Sequence, residues 1–182
     1  MFASERHAAA FHEAGHATAG DLLGLFILEA VLHPGLSCGG RVSIADRPIS
    51  GSTVSVETAL IYGLAGPVAE SAFLGYSPRL DDFTPWSTDR KWIQELLVAR
   101  NACGVRSVVD LPPLSSIPAV VAAMESAERL LRQNWAAVEA VARVLLTDGR
   151  VTGDTVRAAL RSERPELAEL AELAKLELEL VS

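Results

Sequence analysis

Cysteine is nearly absent from this chain. Cys38 and Cys103 lie far apart and neither belongs to a C-x-x-C pair, which excludes a zinc knuckle and makes a disulfide framework a poor expectation. Two idle thiols fit a reducing cytosol, so a cytoplasmic location is expected. Aromatic residues are also scarce, at 5%, and cationic residues are outnumbered, 16 Lys and Arg against 23 Asp and Glu, for a formal charge of −7 and a pI near 5.1. The basic residues are scattered, so the chain lacks the clustered positive surface that nucleic-acid binding requires. Long apolar runs are missing as well. The most apolar stretch, Leu22 to Leu32, contains Glu29 and falls well short of the roughly 20 residues a bilayer span needs, so no membrane span is expected. Near the N-terminus Glu5, Arg6, His7, His12 and Glu13 interrupt any signal-peptide core. What remains, 182 residues that are 49% hydrophobic and 21% charged, is enough for a single globular domain over residues 1–182.

Histidine is scarce too, but it is concentrated. All four, His7, His12, His16 and His33, fall in the first 33 residues, and two of them belong to His12-Glu13-Ala14-Gly15-His16. Residues at i and i+4 share one face of a helix, so His12 and His16 can grip one metal ion while Glu13, next round the cylinder, leans toward a water on that ion. This is the H-E-x-x-H arrangement of zinc peptidases. Its chemistry needs a third protein ligand and an open position for water, whose pKa zinc lowers to roughly 7. Glu13 would take the proton from that water and pass it to the leaving amine. The segment from Ser4 to Leu23 is rich in Ala and Leu and reads as a helix with Ser4 as N-cap. Small Ala14 and Gly15 leave room for a second helix to approach closely.

After Gly24 the helical period gives way to a β-type stretch from Phe26 to His33, a turn containing Pro34-Gly35 and Gly39-Gly40, and a polar/apolar alternation from Arg41 to Asp46. A hairpin or small sheet is expected over 26–47, with the second strand an edge that could pair with an extended peptide. From Ser52 to Leu74 the apolar residues Val56, Leu60, Leu64, Val68 and Ala72 repeat every fourth position, predicting a helix kinked by Pro67. Glu70 sits in an apolar stretch of that helix. It is either a solvated glutamate or the acceptor for a ligand histidine's second nitrogen. Ser87-Thr88 caps and opens another helix with Asp89 in its first turn, where an acid is favoured by the helix dipole in any case. The residues alone therefore leave His33, Glu70, Asp81, Asp82 and Asp89 open as third ligand.

Three blocks in this order, Phe11-His12-Glu13-Ala14-Gly15-His16-Ala17, Tyr62-Gly63-Leu64-Ala65-Gly66-Pro67-Val68-Ala69-Glu70 and Ser87-Thr88-Asp89, resemble the peptidase domain of FtsH-type AAA zinc metalloproteases over residues 4 to 160. The resemblance implies a zincin-like α+β fold, predominantly α-helical, with a small antiparallel hairpin or sheet after the H-E-x-x-H helix. It also implies zinc held by His12, His16 and Asp89, Glu13 as catalytic base, and Glu70 as partner of a ligand histidine. Pro67 stands where the family usually has a basic residue, and Trp92 follows Asp89 where it usually has small ones. The chain has no Walker A loop, so the expected substrate is an unfolded, short or flexible polypeptide, or one delivered by a separate ATPase or adaptor.

The rest reads as scaffold. Residues 1–24 form the active-site helix, 26–47 the hairpin, and 52–104 two helices carrying Glu70 and Asp89. Residues 116–161 form a helical support, with one long helix from Pro118 to Asp148 ended by Gly149 and a short helix through Leu160 capped at Thr152-Gly153-Asp154. Residues 162–182 are an amphipathic Leu/Glu tail that packs on the body or joins copies into a homo-oligomer. A zinc-dependent endopeptidase is the function these features imply. The alternatives are a non-catalytic FtsH-like binding or regulatory module and a repressor-cleaving peptidase of the ImmA type.

Overall fold

The computed structural model describes residues 2–33, 39–45, 54–78, 80–81 and 87–162. Among these, six α-helices accompany a small antiparallel sheet, giving a predominantly helical α+β architecture. The order is α1 (Phe2–Leu22), β1 (Ile27–Leu32), β2 (Gly40–Ile44), α2 (Val56–Leu74), α3 (Ser87–Ala99), α4 (Pro118–Gln133), α5 (Trp135–Asp148), β3 (Arg150–Thr152) and α6 (Gly153–Ser162). No helix among the described residues is long and apolar enough to cross a membrane. The tail beyond Ser162, Pro34-Gly35, Cys38, Asp46 and Asp82 lie outside the described residues.

Helix α1 is the axis of the fold. Ala10, Ala14, Ala17 and Ala19 are buried along it, and their small side chains let neighbouring helices approach. A Cβ on Gly15 would stand 2.5 Å from both the Ala65 carbonyl oxygen and the Ala69 Cβ, so α1 and α2 meet there nearly backbone to backbone. Helix α1 also packs on α5, and α2 on α4. Ser4 lies inside α1 rather than capping it.

Helix α2 is apolar nearly all round from Ala59 to Ala69, as a helix enclosed by others must be, and its buried face is wider than the Leu60, Leu64, Val68 stripe. The Ser55 hydroxyl caps its start by accepting from the Thr58 N–H at 3.0 Å, and Gly75, at φ 78°, ends it. The helix continues through Pro67.

The single long helix expected over 118–148 is in fact two. Its backbone turns at Asn134, whose side-chain amide donates to the Leu130 carbonyl at 2.7 Å while its own N–H bonds Leu131, closing α4 and freeing the chain to start α5. In α4, Val120, Ala127 and Leu131 are fully buried. Burying Val120 or Leu131 stabilises the fold by roughly 1.5–3 kcal/mol relative to leaving it exposed.

The sheet has the order β2-β1-β3, every neighbour antiparallel. Leu32 faces Gly40, Val31 faces Arg41 and Arg150, and Glu29 faces Ser43 and Thr152, with a bulge between Ile27 and Glu29. Ile27, Ala30, Leu32 and Val151 point into the core, and on the outer face Glu29 pairs with Arg150 at 2.8 Å. The third strand is unforeseen from the sequence, because three residues are too few to display an alternation. Thr152 then caps α6 by accepting from the Thr155 N–H.

Candidate metal centre

Helix α1 presents His12 and His16 one turn apart on the face turned toward α2 and α3. Asp89 reaches them from the first turn of α3, which is anchored by Ile93 and Leu97, one and two turns further along the same face and fully buried. The His12 and His16 Nε2 atoms are 3.2 Å apart, Asp89 Oδ2 is 3.0 Å from the first and Oδ1 is 3.3 Å from the second. Two atoms bound at roughly 2.0–2.1 Å to a tetrahedral ion are separated by roughly 3.3–3.4 Å, so the two Nε2 atoms are spaced close to two corners of a zinc tetrahedron, with one Asp89 oxygen beside each. The group is thus close enough to hold a metal ion.

Both rings are oriented from behind. His12 Nδ1 donates to Glu70 Oε2 at 2.9 Å, and His16 Nδ1 donates to the Tyr62 carbonyl at 2.9 Å. With a proton on each Nδ1, the Nε2 lone pairs converge, as metal ligation requires. Tyr62, Gly66 and Glu70 succeed one another every four residues along one stripe of α2, so a single helix face supplies both acceptors and the space between them. A Cβ on Gly66 would collide with His16 Nε2 and stand 2.7 Å from His12 Nε2. Only glycine leaves the ligand nitrogens room.

The electrostatics match a site built for a cation. Burial alone would lower the pKa of His12, but hydrogen bonds to the Asp89 and Glu70 carboxylates outweigh it and raise it to about 10. Burial would raise Asp89, yet its hydrogen bonds to His12 and His16 hold it well below the usual carboxylate range. Glu13, only 6% exposed, is pushed upward by burial, with the two histidines partly offsetting that. Tyr62 is likewise pushed upward, by burial and then by the nearby Glu13 and Asp89 charges.

The structure therefore brings together His12, His16 and Asp89 and sets Glu70 behind His12. Of the other third-ligand candidates, His33 is exposed at the end of β1, and Asp81 Oδ1 accepts instead from the Ser115 N–H at 3.4 Å. Two contributors escape sequence reading: the Tyr62 carbonyl, which carries no side-chain signal, and Gly66, whose role is the space it leaves. The four-residue spacing of Tyr62, Gly66 and Glu70 is the pattern that could have exposed both. On the flank, Trp92 packs on Gly63, Tyr62 stands edge-on to Trp92 and beside His16, and Phe11 stacks between Phe73 and Trp135. No protein-family model matches the chain, and no curated protein matches it.

Proposed function

We propose that this chain is a zinc-dependent endopeptidase of FtsH-like type that hydrolyses unfolded, short or flexible polypeptides. The observation that carries this reading is the convergence of the His12 and His16 Nε2 atoms, 3.2 Å apart, on the Asp89 carboxylate, whose two oxygens lie 3.0 and 3.3 Å from them, beside a buried Glu13. Two imidazoles and one carboxylate are the donor set of catalytic zinc sites that keep a position open. Bound there, zinc would supply Lewis acidity toward a water and toward the scissile carbonyl.

The protein's own groups do the rest. Glu13 accepts the proton of the attacking water and returns it to the leaving amine, and its raised pKa suits a group that must both take and give. Glu70 and the Tyr62 carbonyl keep the two imidazoles in the Nδ1–H tautomer. Among the described residues no strand pairs with the outer edge of β2, which offers a track for an extended chain. The His33 N–H bonds the Gly39 carbonyl at 2.8 Å, which fixes the alternation of the ladder: Arg41 and Ser43 bond β1, while the N–H groups of Gly40 and Val42 point outward. A polypeptide lying there would pair by its backbone, with little regard for sequence. A separate ATPase or adaptor would deliver folded substrates.

Hydrolysis of casein or an internally quenched peptide library, with and without a chelator and against Glu13→Gln, tests the proposal. Chelator-sensitive cleavage that Glu13→Gln abolishes while retaining metal is the expected result. Metal binding without chelator-sensitive cleavage would instead identify a non-catalytic binding module.

A further inference from the structure

Two glycines stand side by side where β2 begins, and their surroundings differ. A Cβ on Gly39 would meet nothing within 4 Å, whereas one on Gly40 would collide with Glu13 Cγ and stand 2.7 Å from both Cδ and Oε1. Gly40 faces Leu32, whose side chain enters the core, so the bare side of its Cα points the same way, toward α1. Glu13 lies against that bare backbone. Among the described residues no hydrogen bond or ion pair ties its carboxylate down. A glutamate has three rotatable bonds, and the contact with Gly40 reaches its Cγ, Cδ and Oε1, so the strand backbone restricts the rotamer that serves the metal centre.

We propose that Gly40 is a positioning residue: its bare Cα is the wall against which the Glu13 side chain rests, so strand β2 directs the carboxylate by steric contact. The inference rests on the peptidase reading, in which Glu13 is the base. Strand β2 is a firm wall because its register with β1 is fixed over Gly40–Ile44 and β1 is held in turn by β3. The atoms an added methyl would strike belong to the end of a flexible side chain rather than to backbone. Glu13 would therefore swing aside while strand, helix and ligands stayed in place. A displacement of about 1 Å in a catalytic group can cost about 100-fold in rate.

The test compares Gly40→Ala with Gly39→Ala in the full chain, each loaded with zinc. Four quantities are read: bound metal per chain, thermal midpoint, kcat and KM on one quenched peptide taken from the library, and the 13Cδ resonance of Glu13, assigned by its disappearance in Glu13→Gln. The expected result for Gly40→Ala is a kcat about 100-fold lower, KM and metal content unchanged, and a moved Glu13 resonance, with Gly39→Ala like the parent throughout. An unmoved resonance with unchanged kcat overturns the inference. Loss of metal from Gly40→Ala also overturns it, because the collision would then reach past Glu13 to the ligands. If the parent hydrolyses nothing but the resonance still moves, the contact stands and the peptidase reading falls.

Discussion

Glu70 and His12, from different helices, are joined by a 2.9 Å hydrogen bond between Oε2 and Nδ1. The bond lies one turn beyond Gly66, at the place where α2 passes closest to the ligand nitrogens. One helix thus both clears space for a metal ion and aims a ligand at it.

Removing that acceptor should weaken the site without unfolding it. Glu70→Ala is expected to reduce metal affinity by about 10- to 100-fold, and Glu70→Gln less, because an amide oxygen still accepts the Nδ1 proton. Competition titration against a chelator of known affinity measures both. Equal affinities in parent and Glu70→Ala would deny Glu70 any part in holding His12.

Gly66→Ala should be more damaging to the centre than its size suggests. The added methyl would overlap the His16 imidazole and crowd His12 Nε2, so metal affinity is expected to fall by at least about tenfold, equal to about 1.4 kcal/mol. Circular dichroism should remain helical. Metal analysis after dialysis decides the matter, and a full complement of ion in this variant would contradict the described geometry.

The metal-free protein should lose stability as pH rises. The folded pKa of His12, about 10, exceeds its ordinary 6.5, so the stabilisation it provides is complete below pH 6.5 and disappears as pH climbs through about 10. Asp89 acts oppositely. Its pKa is depressed, so its contribution is present above its ordinary 3.8 and is lost as pH falls. The thermal midpoint of chelated protein is therefore expected to decline from pH 6.5 to 10, and His12→Asn should flatten that decline. A midpoint independent of pH over this range in the chelated parent would refute the pairing.

Val42→Pro should impair peptide turnover while sparing metal. It deletes an N–H that points away from β1, whereas Ser43→Pro also breaks the β1 ladder. A rise in KM of about tenfold, or roughly 1.4 kcal/mol, with unchanged metal content is expected for Val42→Pro. Unaltered peptide kinetics would mean that substrates do not use this edge.

Much of the centre was legible before any fold was known, because its chemistry is local. His12, Glu13 and His16 belong to one turn and a half of helix, and i, i+4 spacing suffices to place two imidazoles on one face. The apolar repeat of α2, the hairpin and the Ser87 start of α3 were equally readable from period and capping residues. The break at Asn134 was not, since an asparagine's bond to the Leu130 carbonyl competes with helix continuation only by a small margin that sequence pattern does not register. Nor was β3, which owes its existence to the strand beside it.

By itself, then, the sequence determined the helix that carries His12 and His16, the acidic balance, and a short list of carboxylates able to complete a metal site. The residue pattern left the choice among them open, the three-block resemblance pointed to Asp89, and tertiary structure brings Asp89 to the imidazoles. Asp89 reaches the imidazoles because buried Ile93 and Leu97 seat α3, and Asp81 is spent on a loop N–H instead. It also decided the worth of Gly66 and Gly40. A glycine's contribution there is an empty volume, and an empty volume has meaning only once another segment of chain has been packed against it.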